Sequence, residues 1–328
     1  MRTRSSSNFN SRRDRCRAAP TPRWLAWGTR STPVSRMSIV VTGASGYLGR
    51  YVTELLTDQG VPPVALGRSD RPGFFTCRRT GMTAPLASFM TDAIGVVHLA
   101  GQLVRDPTAG VEAYFDANVA LTDQVALAAV EAGVPIVVHA SSRLVYPSTL
   151  TEAAREDRDA RPDTPYGLSK SWAEDVLRVR TMDTRTSAVS LRIGQVTGGD
   201  HAGIGVIRSF LQQAEQTRTV RINGRGAALR DIVHVQDVAR ATMQALEYRG
   251  DWLAINVGGV APVSIAQIAH AVAECAGVPG ENVVHKETTA EDLSCYALDS
   301  ERARAVLGWH ATTSLNSIVA EVMAARDG

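Results

Sequence analysis

Residues 39–49, Ile-Val-Val-Thr-Gly-Ala-Ser-Gly-Tyr-Leu-Gly, restrict the possible folds more than any other stretch of the chain. Ile39, Val40 and Val41 form a short apolar strand, and the glycines at 43, 46 and 49 turn that strand into a helix expected around 46–59. Gly43 suits a tight turn, Gly46 lets a pyrophosphate approach the backbone, and Gly49 lets the helix pack closely on the strand. The N-terminus of the helix adds partial positive charge where the phosphates would lie.

Apolar runs and amphipathic stretches alternate after the loop. Residues 64–66, 74–77, 95–100, 135–140 and 187–191 read as strands, and 114–132 and a segment opening at Pro165 read as helices. This alternation implies an α/β fold with a doubly wound parallel sheet and ligands at the carboxyl ends of its strands. Beyond Gly198 the pattern is irregular: helices at 204–216, 235–248, 265–275, 301–307 and 315–324, with short strands at 220–222 and 253–257. The expected organisation is a tail at 1–36, a nucleotide-binding domain at 37–198 joined by elements near 230–258, and a smaller, mainly substrate-binding lobe at 199–328.

The chemistry is expected between Ser141 and Lys170. Strand 135–140 leads to Ser-Ser-Arg-Leu-Val-Tyr-Pro at 141–147, and the helix from Pro165 carries Tyr166 and Lys170 four residues apart, on one face. A free tyrosine ionises near ~10 and is a poor acid–base catalyst at neutral pH. An ammonium beside it favours the phenolate, as would the positive ring of an oxidised nicotinamide. Ser142 is placed to hydrogen-bond the substrate oxygen that gains or loses the proton. Taken alone, Tyr-x-x-x-Lys is better read as a plain helix-surface pair, a pattern common by chance.

Six motifs in order change that balance. Thr42-Gly-Ala-Ser-Gly-Tyr-Leu-Gly49, His98-Leu-Ala-Gly101, Ser142 with Val145-Tyr146, Tyr166-x-x-x-Lys170, Leu191-Arg192 and Arg230-Asp-Ile-Val-His-Val235 together resemble the extended short-chain dehydrogenases/reductases. Their order and spacing are similar to the NAD-dependent epimerase/dehydratase branch, which mostly modifies nucleotide sugars. The resemblance runs from about Ser38 to the C-terminus. It implies a Rossmann-type sheet with Ser142, Tyr166 and Lys170 as the catalytic set. NAD(P) would be held by Gly43, Ser45, Gly46, Tyr47, Leu48, Gly49, Arg68, Leu99, Ala100, Gly101 and Asn118 together with Tyr166 and Lys170.

The cofactor and substrate expectations follow residue by residue. NAD-selective relatives carry an acid after the second strand, whereas this chain has Gly67-Arg68-Ser69, so Arg68, with Arg50, favours NADP(H) over NAD. Arg143, Gln195 and Arg230 are the expected substrate contacts, Arg230 matching the arginine that grips the nucleotide pyrophosphate. Thr288 and Thr289 stand where a second phosphate-binding arginine is usual. Arg143-Leu144 replaces the Asp-Glu pair of the dehydratases, which speaks against 4,6-dehydration. An epimerase that recycles bound NAD and a 4-ketoreductase that consumes NADPH both remain open. So do reduction of a non-nucleotide carbonyl compound and a non-catalytic NAD(P)-binding module. The family also implies a homodimer formed through the helices at 114–132 and 165–180.

Charge and cysteine usage bound the remaining classes. The formal charge is +2 overall; the first 36 residues hold nine arginines and one acid, +8, and the rest therefore carries −6. A mildly acidic body is no nucleic-acid binder, and no apolar run is long enough to span a bilayer. The four cysteines lack metal-ligand spacing and any disulfide framework, which fits a cytoplasmic protein without a metal site. The Arg- and Ser-rich tail reads as plain disorder or as sequence upstream of a true start at Met37, in preference to a targeting segment. Lysines occur only at 170 and 286 against 33 arginines, which makes the cation chosen at 170 stand out.

Overall fold

The computed structural model describes residues 38–67, 74–76, 83–103, 110–200 and 205–327, so the expectations for the tail and for Arg68 lie outside the described residues. The strands first met along the chain are β1 (Ser38–Thr42), β2 (Pro63–Gly67), β3 (Phe74–Thr76), β4 (Ala93–His98), β5 (Ile136–Ser142) and β6 (Ser187–Ile193). They are followed by β7 (Gln195–Thr197), β8 (Val220–Asn223), β9 (Leu229–Arg230), β10 (Ile232–His234), β11 (Leu253–Val257), β12 (Val263–Ser264) and β13 (Val283–Lys286). Among the described residues seven strands form one sheet, in the order β3-β2-β1-β4-β5-β6-β11, and every pairing is parallel. Both faces of such a sheet are covered, which is why β1 and β6 are buried at every position. The strand order reverses between β1 and β4, the crevice where doubly wound folds bind their ligands.

Helices α1 (Tyr47–Asp58), α2 (Thr83–Met90), α3 (Glu112–Tyr114), α4 (Leu121–Glu131) and α5 (Pro165–Thr181) alternate with these strands. Helix α1 buries Gly49, Val52 and Leu56, a three- and four-residue spacing along one face. Helix α5 opens with Pro165 and is capped by Thr164, whose hydroxyl accepts from the Gly167 amide at 3.0 Å. The expected helix at 114–132 is not uniform: residues Phe115–Ala120 form a π-helical turn between α3 and α4, and Asn118 lies in it. Such single wide turns occur at functional sites. Strand β5 also runs through both serines instead of stopping before them, because Ser141 and Ser142 stay in register with Arg192 and Ile193.

The C-terminal elements build a second apolar cluster. Helices α6 (Gly205–Thr217), α7 (Val235–Ala245), α8 (Ile265–Cys275) and α9 (Leu315–Asp327) complete the set. Phe210 and Leu211 of α6, Val220 and Ile222 of β8, Ile268 and Val272 of α8, and Ile318 and Val322 of α9 pack on one another, apart from the cluster of Val40, Leu66, Val96, Val137 and Leu177 along the sheet. The ladder β7–β10 and the two-residue pairing of β9 with β12 place Gln195 and Arg230 between the two clusters.

Candidate active site

The glycine loop closes on the end of β4. Gly43 has φ +71, and a Cβ there would lie 2.7 Å from the Ala100 amide, so the left-handed turn and the close approach of 99–100 both require glycine. The Leu99 amide donates to the Thr42 carbonyl at 3.1 Å and the Ala100 amide to the Thr42 hydroxyl at 3.3 Å. Gly49 is buried, with the Ala44 Cα 2.7 Å from where a Cβ would stand. Gly46 is exposed, Ser45 and Leu48 are half-buried, and the Tyr47 hydroxyl donates to the Gly198 carbonyl at 2.6 Å. Burial pushes the Tyr47 phenol well above its ordinary value, and the nearby Tyr51 and Asp200 push it further. Arg50 pairs with Asp200 at 2.7 Å.

The three expected catalytic residues meet at the carboxyl end of β5. The buried Tyr166 phenol has Ser142 as a neighbour that favours its ionised form, and the Ser142 Oγ accepts from the Leu144 amide at 3.2 Å. The contact depends on Gly167: helix α5 lies so close to the turn after Ser142 that a Cβ there would run into the Leu144 carbonyl. Burial raises the Tyr166 phenol to about 12 and outweighs the Ser142 hydrogen bond, which lowers it. Lys170 is not among the groups that shift it in this structure; desolvation sets the direction, and the phenol is protonated at neutral pH. Lys170 itself is buried, its Nζ donates to the Ala140 carbonyl at 2.9 Å, and burial brings it down to about 8 against an upward pull from Glu174.

Asn118 holds the pieces around Lys170 together. Its Nδ2 donates to the Gln102 carbonyl at 3.1 Å and to the Ser169 hydroxyl at 2.9 Å, and its Oδ1 accepts from the Gln102 amide at 2.7 Å. Gly101 sits so close that a Cβ would lie 2.7 Å from Asn118 Oδ1 and 3.3 Å from Lys170 Nζ. Below the site, His98 contacts the Thr42 hydroxyl through Nδ1 at 2.7 Å and the Thr122 hydroxyl through Nε2 at 3.0 Å. Burial, with the Lys170 charge, drops His98 to about 3, so it stays neutral.

Two of the expected substrate contacts, Arg143 and Arg230, come together on Tyr296. Arg230 donates to the Leu229 carbonyl at 2.9 Å and to the Ser294 hydroxyl at 3.1 Å, and pairs with Asp292 at 3.2 Å. It does not pair with its neighbour Asp231, which accepts instead from the Gly259 and Leu298 amides at 2.5 and 2.9 Å. Arg143 and Arg230 share the Tyr296 ring, their guanidinium carbons 3.8 and 4.9 Å from its centroid. Gln195 donates its amide to the Asp231 carbonyl at 2.8 Å, beside Arg230.

A buried polar network under the site has no counterpart in the sequence reading. The Ser141 hydroxyl donates to Glu174 at 2.5 Å, Arg192 pairs with Glu174 at 2.7 Å, and Arg192 Nη1 donates to the Tyr146 hydroxyl at 2.8 Å. Tyr146 in turn donates to Asn256 at 2.9 Å. Glu174 lies four residues beyond Lys170, on the face that already carries Tyr166, and that spacing was the available signal. Tyr296 had no comparable signal, because only the tertiary fold brings it against two distant arginines.

Comparison with known proteins agrees with this geometry. The profile of the NAD dependent epimerase/dehydratase family matches residues 39–258. The chain belongs to this family. UDP-glucose 4-epimerase of Mycolicibacterium smegmatis is 32% identical over 314 residues, covering 88% of this chain and 97% of the relative. The dTDP-4-dehydro-6-deoxy-D-allose reductase of a Streptomyces species is 30% identical over 271 residues, 74% of this chain and 82% of the relative. Among solved structures, MoeE5 in complex with UDP-glucuronic acid and NAD superposes with a TM-score of 0.74 at 29% identity, over 88% of this chain and 99% of that one. This member of the epimerase/dehydratase family thus shares its fold and most of its length with sugar-nucleotide epimerases and reductases. No helix among the described residues is long and apolar enough to cross a membrane, and no cluster of metal-ligating side chains occurs among them.

Proposed function

We propose that the protein is a nucleotide-sugar 4-epimerase or 4-ketoreductase in which Tyr166 exchanges the proton of the reacting carbinol or ketone oxygen. The observation that carries this reading is the set at the end of β5, in which the buried Tyr166 has Ser142 as a neighbour and the buried Lys170 lies one helical turn further along α5. The chain fits a nicotinamide dinucleotide. Around Gly46 the only neighbour of an added Cβ would be the Gly43 carbonyl at 3.1 Å, which leaves the exposed side of the loop open for a pyrophosphate. Lys170 spends one of its three N–H donors on Ala140 and keeps two for a ribose. The group would be held by the 43–49 loop, by 99–101 and by Lys170, and when bound it supplies the hydride acceptor and donor.

The chain's own residues supply the rest of the chemistry. Ser142 orients the substrate oxygen toward the phenol and shares the hydrogen bond as the proton moves. Lys170, charged below about 8, adds a positive field on the face of α5 that carries Tyr166. Arg230 and Gln195 take the diphosphate, a bidentate task for which a guanidinium is suited. The cluster built from α6, α8 and α9 serves as the substrate-binding lobe, and the exposed Phe115, Trp172 and Val179 favour a homodimer through α4 and α5.

The relatives named above divide between the two reactions. The epimerase reading is supported by the 32% identity to a UDP-glucose 4-epimerase and the ketoreductase reading by the 30% identity to a dTDP-keto-sugar reductase. Denaturing the purified protein and identifying the released nucleotide by mass spectrometry separates them. Stoichiometric NAD is expected of an epimerase. Release of none, with tighter binding of NADPH than NADH, would replace that reading by the reductase.

A further inference from the structure

Strands β1 and β4 part where the order of the sheet reverses, and one buried imidazole joins their ends. Thr42 and His98 are the last registered pair of the two strands, and both are buried. Thr42 leads directly into the glycine loop and His98 into residues 99–101, so the pair stands between the two segments that would hold the dinucleotide.

The hydrogen bonds of His98 have a fixed direction. Its Nδ1 lies 2.7 Å from the Thr42 hydroxyl and its Nε2 3.0 Å from the Thr122 hydroxyl of α4. Thr122 gives its single hydroxyl proton to the Asn118 carbonyl at 2.6 Å, so toward His98 it can only accept, and the imidazole proton is on Nε2. Nδ1 is then the acceptor: the Thr42 hydroxyl donates to it while accepting from the Ala100 amide at 3.3 Å. The chain of bonds continues beyond Thr122. The Asn118 carbonyl belongs to the π-helical turn Phe115–Ala120, and the side chain of the same residue holds the Gln102 amide and carbonyl and donates to the Ser169 hydroxyl. Ser169 donates in turn to the Tyr166 carbonyl at 2.7 Å. One ring thus connects the entrance of the glycine loop to the turn beside Lys170. Packing alone does not ask for histidine at this place, since Val96 and Val97 before it are buried and apolar; a phenylalanine would fill the space but leave two buried hydroxyls short of a partner.

We propose that His98 is a positioning residue for the cofactor: it fixes the ends of β1 and β4 against each other and, through Thr122, seats Asn118, and so governs how tightly NAD is held. The proposal rests on the dinucleotide reading above, and the test separates the two. Calorimetric titration of nucleotide-free protein with NAD should show His98→Phe binding at least about tenfold more weakly than the wild type. Because His98 acts through Asn118, the double variant His98→Phe/Asn118→Ala should bind NAD within about threefold of Asn118→Ala alone. The Kd for UDP, measured on the same proteins, should change less than about threefold, since the lobe is not tied to the ring. Thr122→Val keeps the shape of the side chain and breaks the link to Asn118; it should weaken NAD in the same direction, and serves if His98→Phe does not fold. Unchanged NAD affinity in His98→Phe, or in Thr122→Val where that variant stands in, overturns the proposal. Losses that multiply in the double variant overturn it too, as does an equal loss of NAD and UDP affinity, which would mark a general loosening of the fold. A wild type that binds no NAD would overturn the dinucleotide reading itself, and the proposal with it.

Discussion

Replacing Tyr166 with phenylalanine removes one oxygen and tests the mechanism directly. Burial holds the phenol at about 12, so at pH 7 it is about five pH units from ionisation, or about 7 kcal/mol. Two neighbours cannot carry the proton in its place: Ser142 is a hydroxyl without a base of its own, and His98 is held neutral at about 3. Losing a positioned general acid–base lowers turnover by a factor on the order of 10² to 10⁴, about 3–5 kcal/mol of transition-state stabilisation. Stability should change by only about 1 kcal/mol, because at most one hydrogen bond is removed and Ser142 keeps the Leu144 amide at 3.2 Å. The assay is kcat on the UDP-sugar that the wild type turns over, with thermal melting run in parallel to show that the variant is folded. A folded Tyr166→Phe protein within tenfold of wild-type kcat would refute the assignment.

Three further outcomes follow from the same geometry. Lys170 is charged below about 8 and neutral above it, so kcat/KM should fall as pH rises through that value, and a flat profile between about pH 7 and 9 would remove the ammonium from the mechanism. Glu174→Gln leaves the Arg192 guanidinium buried without its counter-charge, the two side chains being 4% and 6% exposed, and should cost about 3–5 kcal/mol in urea unfolding; an unchanged midpoint would show that the network is not an ion pair in solution. Trp172 is 39% exposed and meets Phe115 edge-on at 6.4 Å, so Trp172→Glu should move the protein toward monomer in sedimentation, and an unaltered dimer would place the interface elsewhere.

The glycine loop, the apolar strands and the Tyr-x-x-x-Lys spacing were legible in the sequence because each is set by local rules. A left-handed turn needs glycine at 43, a strand buried on both faces reads as continuous Ile and Val, and residues four apart share a helix face. The π-helical turn at Phe115–Ala120 was not legible, since its residues suit an ordinary helix and only the contacts of Asn118 with Gln102 and Ser169 mark the place. Nor was the direction in which the Tyr166 phenol shifts. The Lys170 charge was visible in one dimension, but the desolvation that sets the direction depends on how much of the chain packs around the ring. The local pattern therefore determined which residues are the candidates for the chemistry and where along the chain they stand. Tertiary structure alone decided what each one meets, Arg143 above all: its bond to the Cys295 carbonyl and its stacking on Tyr296 arise from segments 152 or more residues apart, and no spacing along a chain encodes a contact made by folding back.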